Sequence, residues 1–256
     1  SSSNRINNIT LAAKAINGTI LLPGEEFSFN GTVGQRTTAK GYKEAGAYAG
    51  GESVNQVGGG ICQVSSIYYC TLMANLKVTD RDEHMFPVSY LPYGLDATVN
   101  WPNLDYKFVN SNNYPIKIVS YVSGKTLYVE LLGTNERTDG HYFKLTYKVT
   151  GTTPRPVEEK EDPTLAPGET KVERNGRDGL SVKSYRNEYD ANGNLVNSEY
   201  IASSSYRTQS KIILVGPAAP EPEPEPDPNP DPAPDPEPNP DQDTGEMIDP
   251  DEIPSA

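Results

Sequence analysis

The sequence predicts an α+β protein in three parts: an N-terminal domain of helices and antiparallel sheet, an elongated all-β module, and a disordered acidic, proline-rich tail. Three observations carry this. Apolar residues at helical spacing occur only in two stretches, both before residue 77. After that point, short alternating runs are separated by Gly, Pro, Asn and Asp turn residues, the pattern of antiparallel strands. From residue 217 onward the chain is built of Glu-Pro, Asp-Pro and Asn-Pro repeats. Such sequence buries too little apolar area to fold, and self-repulsion extends it. As a passive spacer it needs no further role.

Asn4 to Asn17 reads as an amphipathic helix with Ile6, Ile9, Ala13 and Ile16 on one face and Asn17-Gly18 as its stop. Thr19–Leu22 and Glu25–Phe29 read as strands joined at Pro23-Gly24. Asn30 to Gly46 reads as a Gly- and Thr-rich loop carrying one arginine, Arg36, and 45–57 as a short hairpin about Gly50-Gly51. Cys62 to Leu76, free of Pro and Gly, reads as a helix. Strands are then expected at Val88–Tyr90, Leu95–Val99, Leu104–Val109, Ile116–Val122 and Thr126–Leu132. Tyr142–Val149 alternates with Phe143, Leu145, Tyr147 and Val149 on one face. Ser181–Tyr189, Tyr200–Tyr206 and Lys211–Val215 follow, with a hairpin-type turn at Asp190–Asn194. Apolar residues are sparse there, which predicts a thin sheet with little core. The domains expected are therefore 4–134, 141–216 and 217–256.

The 256 residues carry a formal net charge of -13. Thirteen of the 35 acidic residues, and no basic ones, lie in 217–256, so the remainder balances 22 acidic against 22 basic residues. The folded part thus shows no basic excess for nucleic acid, and no apolar run is long enough to span a membrane. The chain opens at Ser1-Ser2-Ser3-Asn4 without a leader, as a mature or trimmed product would. Cys62 and Cys70, if on one helix, stand about 12 Å apart, beyond disulfide reach. Two thiols with only His84 and His141 argue against a structural zinc site. Neither a metal nor another cofactor is expected.

The stretch that organises the chain is Val57-Gly58-Gly59-Gly60-Ile61-Cys62-Gln63-Val64-Ser65-Ser66. Three glycines permit a tight turn or close approach to a ligand. Cys62 then falls in the first helical turn, where unpaired N–H groups and the dipole favour a thiolate. A lone Cys is also commonly just a small buried hydrophobe. A nucleophilic Cys needs a base, and the base an orienting group. His84 and Asp96 follow on what read as successive strands, and pairing of those strands brings imidazole and carboxylate together. In that arrangement Cys62 attacks a carbonyl, His84 shuttles the proton, Asp96 orients the ring, and the Gln63 N–H or the glycine loop donates to the oxyanion. The order Cys, His, Asp on helix, strand, strand is also that of transglutaminase-like and papain-like thiol enzymes, an analogy of fold only. The plainer reading has His84 bonded to its local turn and Asp96 capping the turn after Gly94. Gly58, Gly59, Gly60, Gln63, Ser65 and Arg36 are the candidate binding residues. Ser65 and Ser66 lack a nucleophile-elbow context.

Residues 4 to about 134 resemble the VanW family. The resemblance is carried by Asn4-Arg5, by Leu11-Ala12-Ala13-Lys14-Ala15-Ile16-Asn17-Gly18 and by Leu22-Pro23-Gly24-Glu25-Glu26-Phe27-Ser28-Phe29-Asn30. It continues in Val33-Gly34-Gln35-Arg36-Thr37, Gly41-Tyr42, Gly58 to Ser66, His84, Val88-Ser89-Tyr90 and Gly94-Leu95-Asp96-Ala97-Thr98-Val99. The family's two-histidine stretch is here Arg81-Asp82-Glu83-His84-Met85, with one histidine only, which argues against metal binding there. Cys70 does not fall on a cysteine of the family pattern. Residues 141–216 resemble a G-five domain through Glu161-Asp162-Pro163-Thr164-Leu165 and Gly168, Gly176, Gly179, Gly193 and Gly216. The two resemblances imply an exported cell-envelope protein of a Gram-positive bacterium, related to accessory proteins of vancomycin resistance, with peptidoglycan or another wall glycan or peptide as partner. They leave two expectations: a Cys62-dependent amidase or transpeptidase-like enzyme acting on peptidoglycan, or a non-catalytic wall-binding or adhesion protein.

Overall fold

The computed structural model describes residues 2–49, 52–137 and 139–218. The expected disordered tail lies outside them from residue 219 on. Helix α1 (Ser3–Ile16) is capped by Ser2, whose side chain accepts from Arg5 N, and buries Ile9, Ala12, Ala13 and Ile16. It leads into β1 (Ile20–Leu21), β2 (Glu26–Ser28) and a short helix α2 (Phe29–Val33). The hairpin β3 (Glu44–Ala49) and β4 (Glu52–Val57) precedes a 3-10 segment (Ile61–Ser66) and helix α3 (Ile67–Met73). Strands β5 (Lys77–Asp80), β6 (Lys107–Val109), β7 (Ile116–Ser123) and β8 (Thr126–Gly133) complete the first domain. The module that follows holds β9 (Tyr142–Thr153), β10 (Val157–Glu161), β11 (Thr170–Arg174), β12 (Gly179–Tyr189), β13 (Leu195–Tyr206) and β14 (Lys211–Val215).

Two three-stranded sheets, ordered β1-β7-β8 and β2-β6-β5, sandwich the first core with α1 and α3. That core is continuous: Phe27, Phe29, Val64, Ile67, Tyr68, Leu95, Tyr106, Phe108 and Ile118 pack with the α1 stripe. Phe27 and Phe108 face each other in register on β2 and β6, their rings 5.2 Å apart. The β module is two thin sheets, β9-β12-β13 and β10-β14-β11. Phe143 and Leu145 are half-buried, whereas Tyr147 and Val149, expected on the same face, are exposed.

Four expectations need correction. The stretch 62–76 is not one α-helix. Ser65 and Ser66 donate to the carbonyls of Cys62 and Gln63, three residues back; such local hydroxyl bonds compete with the α-helical pattern, and the first two turns are 3-10. The stretch 30–46 is not all loop: Ser28 caps α2 by accepting from Gly31 N, and Asp105 fixes the same corner from Ser28 Oγ and Asn30 N. Val88–Tyr90 forms no strand, because Pro87 and Pro92 remove ladder donors on either side. Leu95–Val99 contributes only the isolated antiparallel bridge Asp82–Thr98.

Candidate active site

That single bridge sets the site. Thr98 N donates to Asp82 O at 2.8 Å. In an antiparallel register the next residues directly opposite, two along each strand, are His84 and Asp96. Backbone pairing is replaced there by the carboxylate, which accepts from His84 N at 2.9 Å and sits 2.7 Å from His84 Nδ1. The imidazole is therefore held at Nδ1, its Nε2 lies 3.4 Å from Tyr90 OH, and Cys62 is within electrostatic reach of the ring. Cys62 Sγ also lies 3.4 Å from Val99 O and 3.7 Å from Thr98 Oγ1, on the same segment that carries Asp96. Cys62, His84 and Asp96 are thus brought to one place.

Electrostatics follow from this packing. Burial raises the Cys62 thiol, but its interactions with His84, Val99 and Thr98 outweigh that and bring it down to about 7. Burial lowers His84, and the bonds to Asp96 and Cys62 override that, lifting it to about 9. Burial likewise opposes ionisation of Asp96, whose carboxylate is fully enclosed, yet bonds from His84 and Tyr206 hold it below the usual range. Both shifts favour a thiolate beside an imidazolium over the neutral pair. Cys70 is the opposite case: burial and nearby Glu130 push its thiol up to about 11.

Four residues of the site were not among the candidates read from the sequence. Tyr206 OH donates to Asp96 Oδ1 and accepts from Gly94 N at 2.7 Å. Arg81 Nε donates to Asp96 O at 2.8 Å, and Arg81 Nη2 lies 3.7 Å from Asp96 Oδ1. Tyr90 OH lies 3.4 Å from His84 Nε2. Arg5 lies against Gly60. Tyr206 comes from β13 of the second module, 110 residues beyond Asp96, and no local pattern marks it. Arg81 stood in the Arg81-Asp82-Glu83-His84 run, where a cation close to the histidine was a visible signal.

The segment bearing His84 and Asp96 is fastened to the end of β13. Ser205 N donates to Glu83 Oε1 at 3.0 Å, Arg207 N to Met85 O at 2.8 Å, and Arg81 Nη1 to Ser204 Oγ at 3.0 Å. A cleft of about 1270 Å³ opens over Cys62, with Tyr48, Trp101, Arg177 and Arg207 among its walls.

Of the candidate binding residues, Gly58, Gly59, Gly60 and Arg36 line this cleft. Each glycine has a steric reason. A Cβ at Gly59 would stand 2.1 Å from Ala45 O, one at Gly58 2.9 Å from Arg36 Cβ, and one at Gly60 2.7 Å from Arg5 Cγ. Gly58 and Gly60 also have φ of +85° and +98°. The loop is thus packed by protein rather than open. Its amides are engaged too: Gly58 N donates to Lys43 O, Gly59 N to Gln56 O and Gln63 N to Gly60 O, so these three do not serve as oxyanion donors. Gln63 Oε1 accepts from Arg5 Nη2 at 3.4 Å outside the cleft wall. Ser65 is fully buried, its hydroxyl 2.7 Å from Cys62 O and 2.5 Å from Ala97 O, and it pins the 3-10 segment against the Asp96 strand. Among the described residues no three His, Cys, Asp or Glu side chains are grouped to hold a metal ion, and no helix is long and apolar enough to cross a membrane.

Comparison with known proteins divides the chain at the same place. A family model described as VanW like protein matches residues 4–132, and one described as G5 domain matches residues 144–218. The uncharacterized protein YoaR of Bacillus subtilis (strain 168) is 43% identical over 136 residues, 53% of this chain and 45% of that protein. The vancomycin B-type resistance protein VanW of Enterococcus faecalis (strain ATCC 700802 / V583) is 32% identical over 121 residues, 45% of this chain and 44% of that protein. The chain therefore spans less than half the length of these curated relatives. Among solved structures, the IgA1 protease G5 domain matches 31% of this chain and 92% of its own length at 22% identity and a TM-score of 0.22. The HP0197 G5 structure matches 30% of this chain and 97% of its own at 18% identity and a TM-score of 0.19.

Proposed function

The chain belongs to the VanW family, and from that premise we propose that it is a cell-envelope thiol enzyme acting on peptidoglycan peptides. Cys62 is its nucleophile, His84 its general acid and base, and Asp96 the orienting carboxylate. The observation that supports this most is the 2.7 Å His84–Asp96 contact, with Cys62 held against the same Asp96-bearing segment and within electrostatic reach of the imidazole. A nucleophile, its base and the base's orienter in sequence are the geometric signature of covalent catalysis.

In this reading the Cys62 thiolate adds to an amide carbonyl, forming a C–S bond and a tetrahedral oxyanion. Protonated His84 gives its Nε2 proton to the leaving nitrogen as the C–N bond breaks, leaving a thioester. Neutral His84 then takes a proton from water or an acceptor amine, which displaces the sulfur and restores the thiolate. Asp96 stabilises the imidazolium without changing its own protonation. Cell-wall association is supported by the two family matches and by the vancomycin-resistance name of one relative. Limited digestion of purified cell wall tests the proposal. Wild-type protein releases or exchanges muropeptides, and Cys62→Ala and His84→Ala do not; identical chromatograms from all three overturn it.

A second reading, a wall-binding protein without chemistry, is favoured by one observation. The β module exposes aromatic rings, including the stacked Tyr142–Tyr189 pair with Lys144 over both rings, a surface suited to sugar faces. In that case wall binding persists in Cys62→Ala and no product forms with any variant.

A further inference from the structure

The arginines of this chain divide by place. Outside the cleft, Arg81, Arg137, Arg155 and Arg186 each lie within ion-pair distance of a carboxylate. Inside it, Arg5, Arg36, Arg177 and Arg207 form no ion pair among the described residues. The carboxylates lining the cleft are Asp82 and Glu83, and Glu83 is already held by Arg81 and Ser205 N. A formally neutral folded part has thus gathered its unpaired guanidiniums over one thiol. Arg177 is engaged structurally, donating to Tyr48 OH at 3.2 Å and lying over the Tyr48 and Phe86 rings.

Arg5 and Arg36 differ from it. They approach the chain from opposite ends of the glycine loop that leads into Cys62, and the missing side chains at Gly60 and Gly58 make their room. Arg36 is fixed through Nη1, which donates to Asn30 Oδ1 at 2.7 Å, and by its contact with the Phe29 ring. Its Nε and Nη2 are buried with no hydrogen-bond partner, as are Arg81 Nη2, Arg137 Nη1 and Arg186 Nε outside the cleft. Arg5 makes one long bond, to Gln63 Oε1. Arg36 lies within electrostatic reach of Cys62, and Arg5 within reach of Tyr90, which itself neighbours Cys62. Leaving such donors without an acceptor beside a cleft is costly, and a guanidinium fork matches a carboxylate in plane.

We propose that Arg5 and Arg36, set by the glycine loop, form a carboxylate-recognition subsite beside Cys62, so that the substrate is a peptide with a free carboxylate near the bond attacked. This rests on the reading of Cys62 as nucleophile, and extends it to the chemistry of the substrate.

Competing alkylating agents of opposite charge character test it on the intact chain. At pH 8 and low salt, iodoacetate, an anion, is expected to alkylate Cys62 roughly tenfold faster than neutral iodoacetamide, an advantage that salt reduces. Arg5→Gln and Arg36→Gln are each expected to cut that ratio by roughly threefold or more, while the iodoacetamide rate still inflects near pH 7. A wild-type ratio that favours the neutral reagent overturns the subsite. So does a high ratio unchanged in both variants, which assigns the attraction to the imidazolium alone. If Arg36→Gln fails to fold, Arg5→Gln alone decides. An iodoacetamide inflection in wild type near the ordinary thiol value of about 8.5 overturns the nucleophile reading instead, separately from the charge ratio.

Discussion

The two folded regions of this chain are held together in opposite ways. The first has a continuous core of aromatic and aliphatic residues from Ile9 to Ile118. The second buries few apolar side chains, chiefly Val182, Tyr206 and Ile212. One of those, Tyr206, has its hydroxyl on the Asp96 carboxylate of the other region. Val182 meets the position a side chain would take at Gly94, and Tyr93 packs on Tyr147 and Tyr206. So the module's limited interior is concentrated where it backs the site. A thin sheet gains its order partly from what it docks against, and here the dock is the loop carrying His84 and Asp96.

The difference can be broken at several points. Phe27→Ala, in the middle of the first core, should cost about 3–5 kcal/mol, read as a fall in denaturation midpoint. A cost under 1 kcal/mol would mean the core is not the stabilising element. Asp96→Asn removes the buried carboxylate from both His84 and Arg81, leaving Arg81 only Glu83 at 3.5 Å, and should cost a comparable amount, about 3–5 kcal/mol. It should also move the Cys62 alkylation inflection up from about 7 toward the free-thiol value. Tyr206→Phe strips a partner from both Asp96 Oδ1 and Gly94 N, so it should cost about 1–3 kcal/mol. That change arises in the module but should be felt in the first domain, as faster hydrogen exchange at the His84 and Gly94 amides. Exchange confined to the module would separate the two regions.

The pH response is a finer probe. His84 is raised to about 9, so its contribution to stability is complete below its ordinary 6.5 and is lost as pH rises through about 9. Cys62 is lowered to about 7, so its contribution is complete above its ordinary 9 and is lost as pH falls through about 7. The thiolate–imidazolium pair therefore dominates between the two, and turnover should follow a bell with limbs near 7 and 9 that belong to the pair jointly. A single rising limb with no fall above 9 would remove His84 as the acid. The smallest effect is expected at Val196→Ser, an exposed position on β13, which should stay within about 0.5 kcal/mol of wild type.

Much of the first domain was legible because its signals are local: the Ile9–Ile16 stripe, the Asn-Gly stop, and alternation in 116–132. The pairing of His84 with Asp96 was legible as well, since two short runs of opposite direction put them across from each other. What was misread is the means: one bridge at Asp82–Thr98 and a carboxylate, not two full strands. The glycine loop was read as freedom for a ligand, whereas its missing side chains admit Ala45 O, Arg36 and Arg5. Sequence shows that a side chain is small, not what occupies the space beside it. Tyr206 could not be found at all, because its partner lies in a separate module and only the folded chain supplies the contact.

Consider finally the excursion from Met85 to Tyr90. It leaves the Asp82–Thr98 bridge, walls the cleft and returns before Asp96. His84 and Asp96 are anchored at the base of this excursion, and Met85 O, the buried Phe86 and Tyr90 tie it to Arg207 N, Tyr48 and His84. Pro87, Val88 and Ser89, which lie between these ties and line the cleft, are therefore the place to exchange residues when altering what the cleft admits.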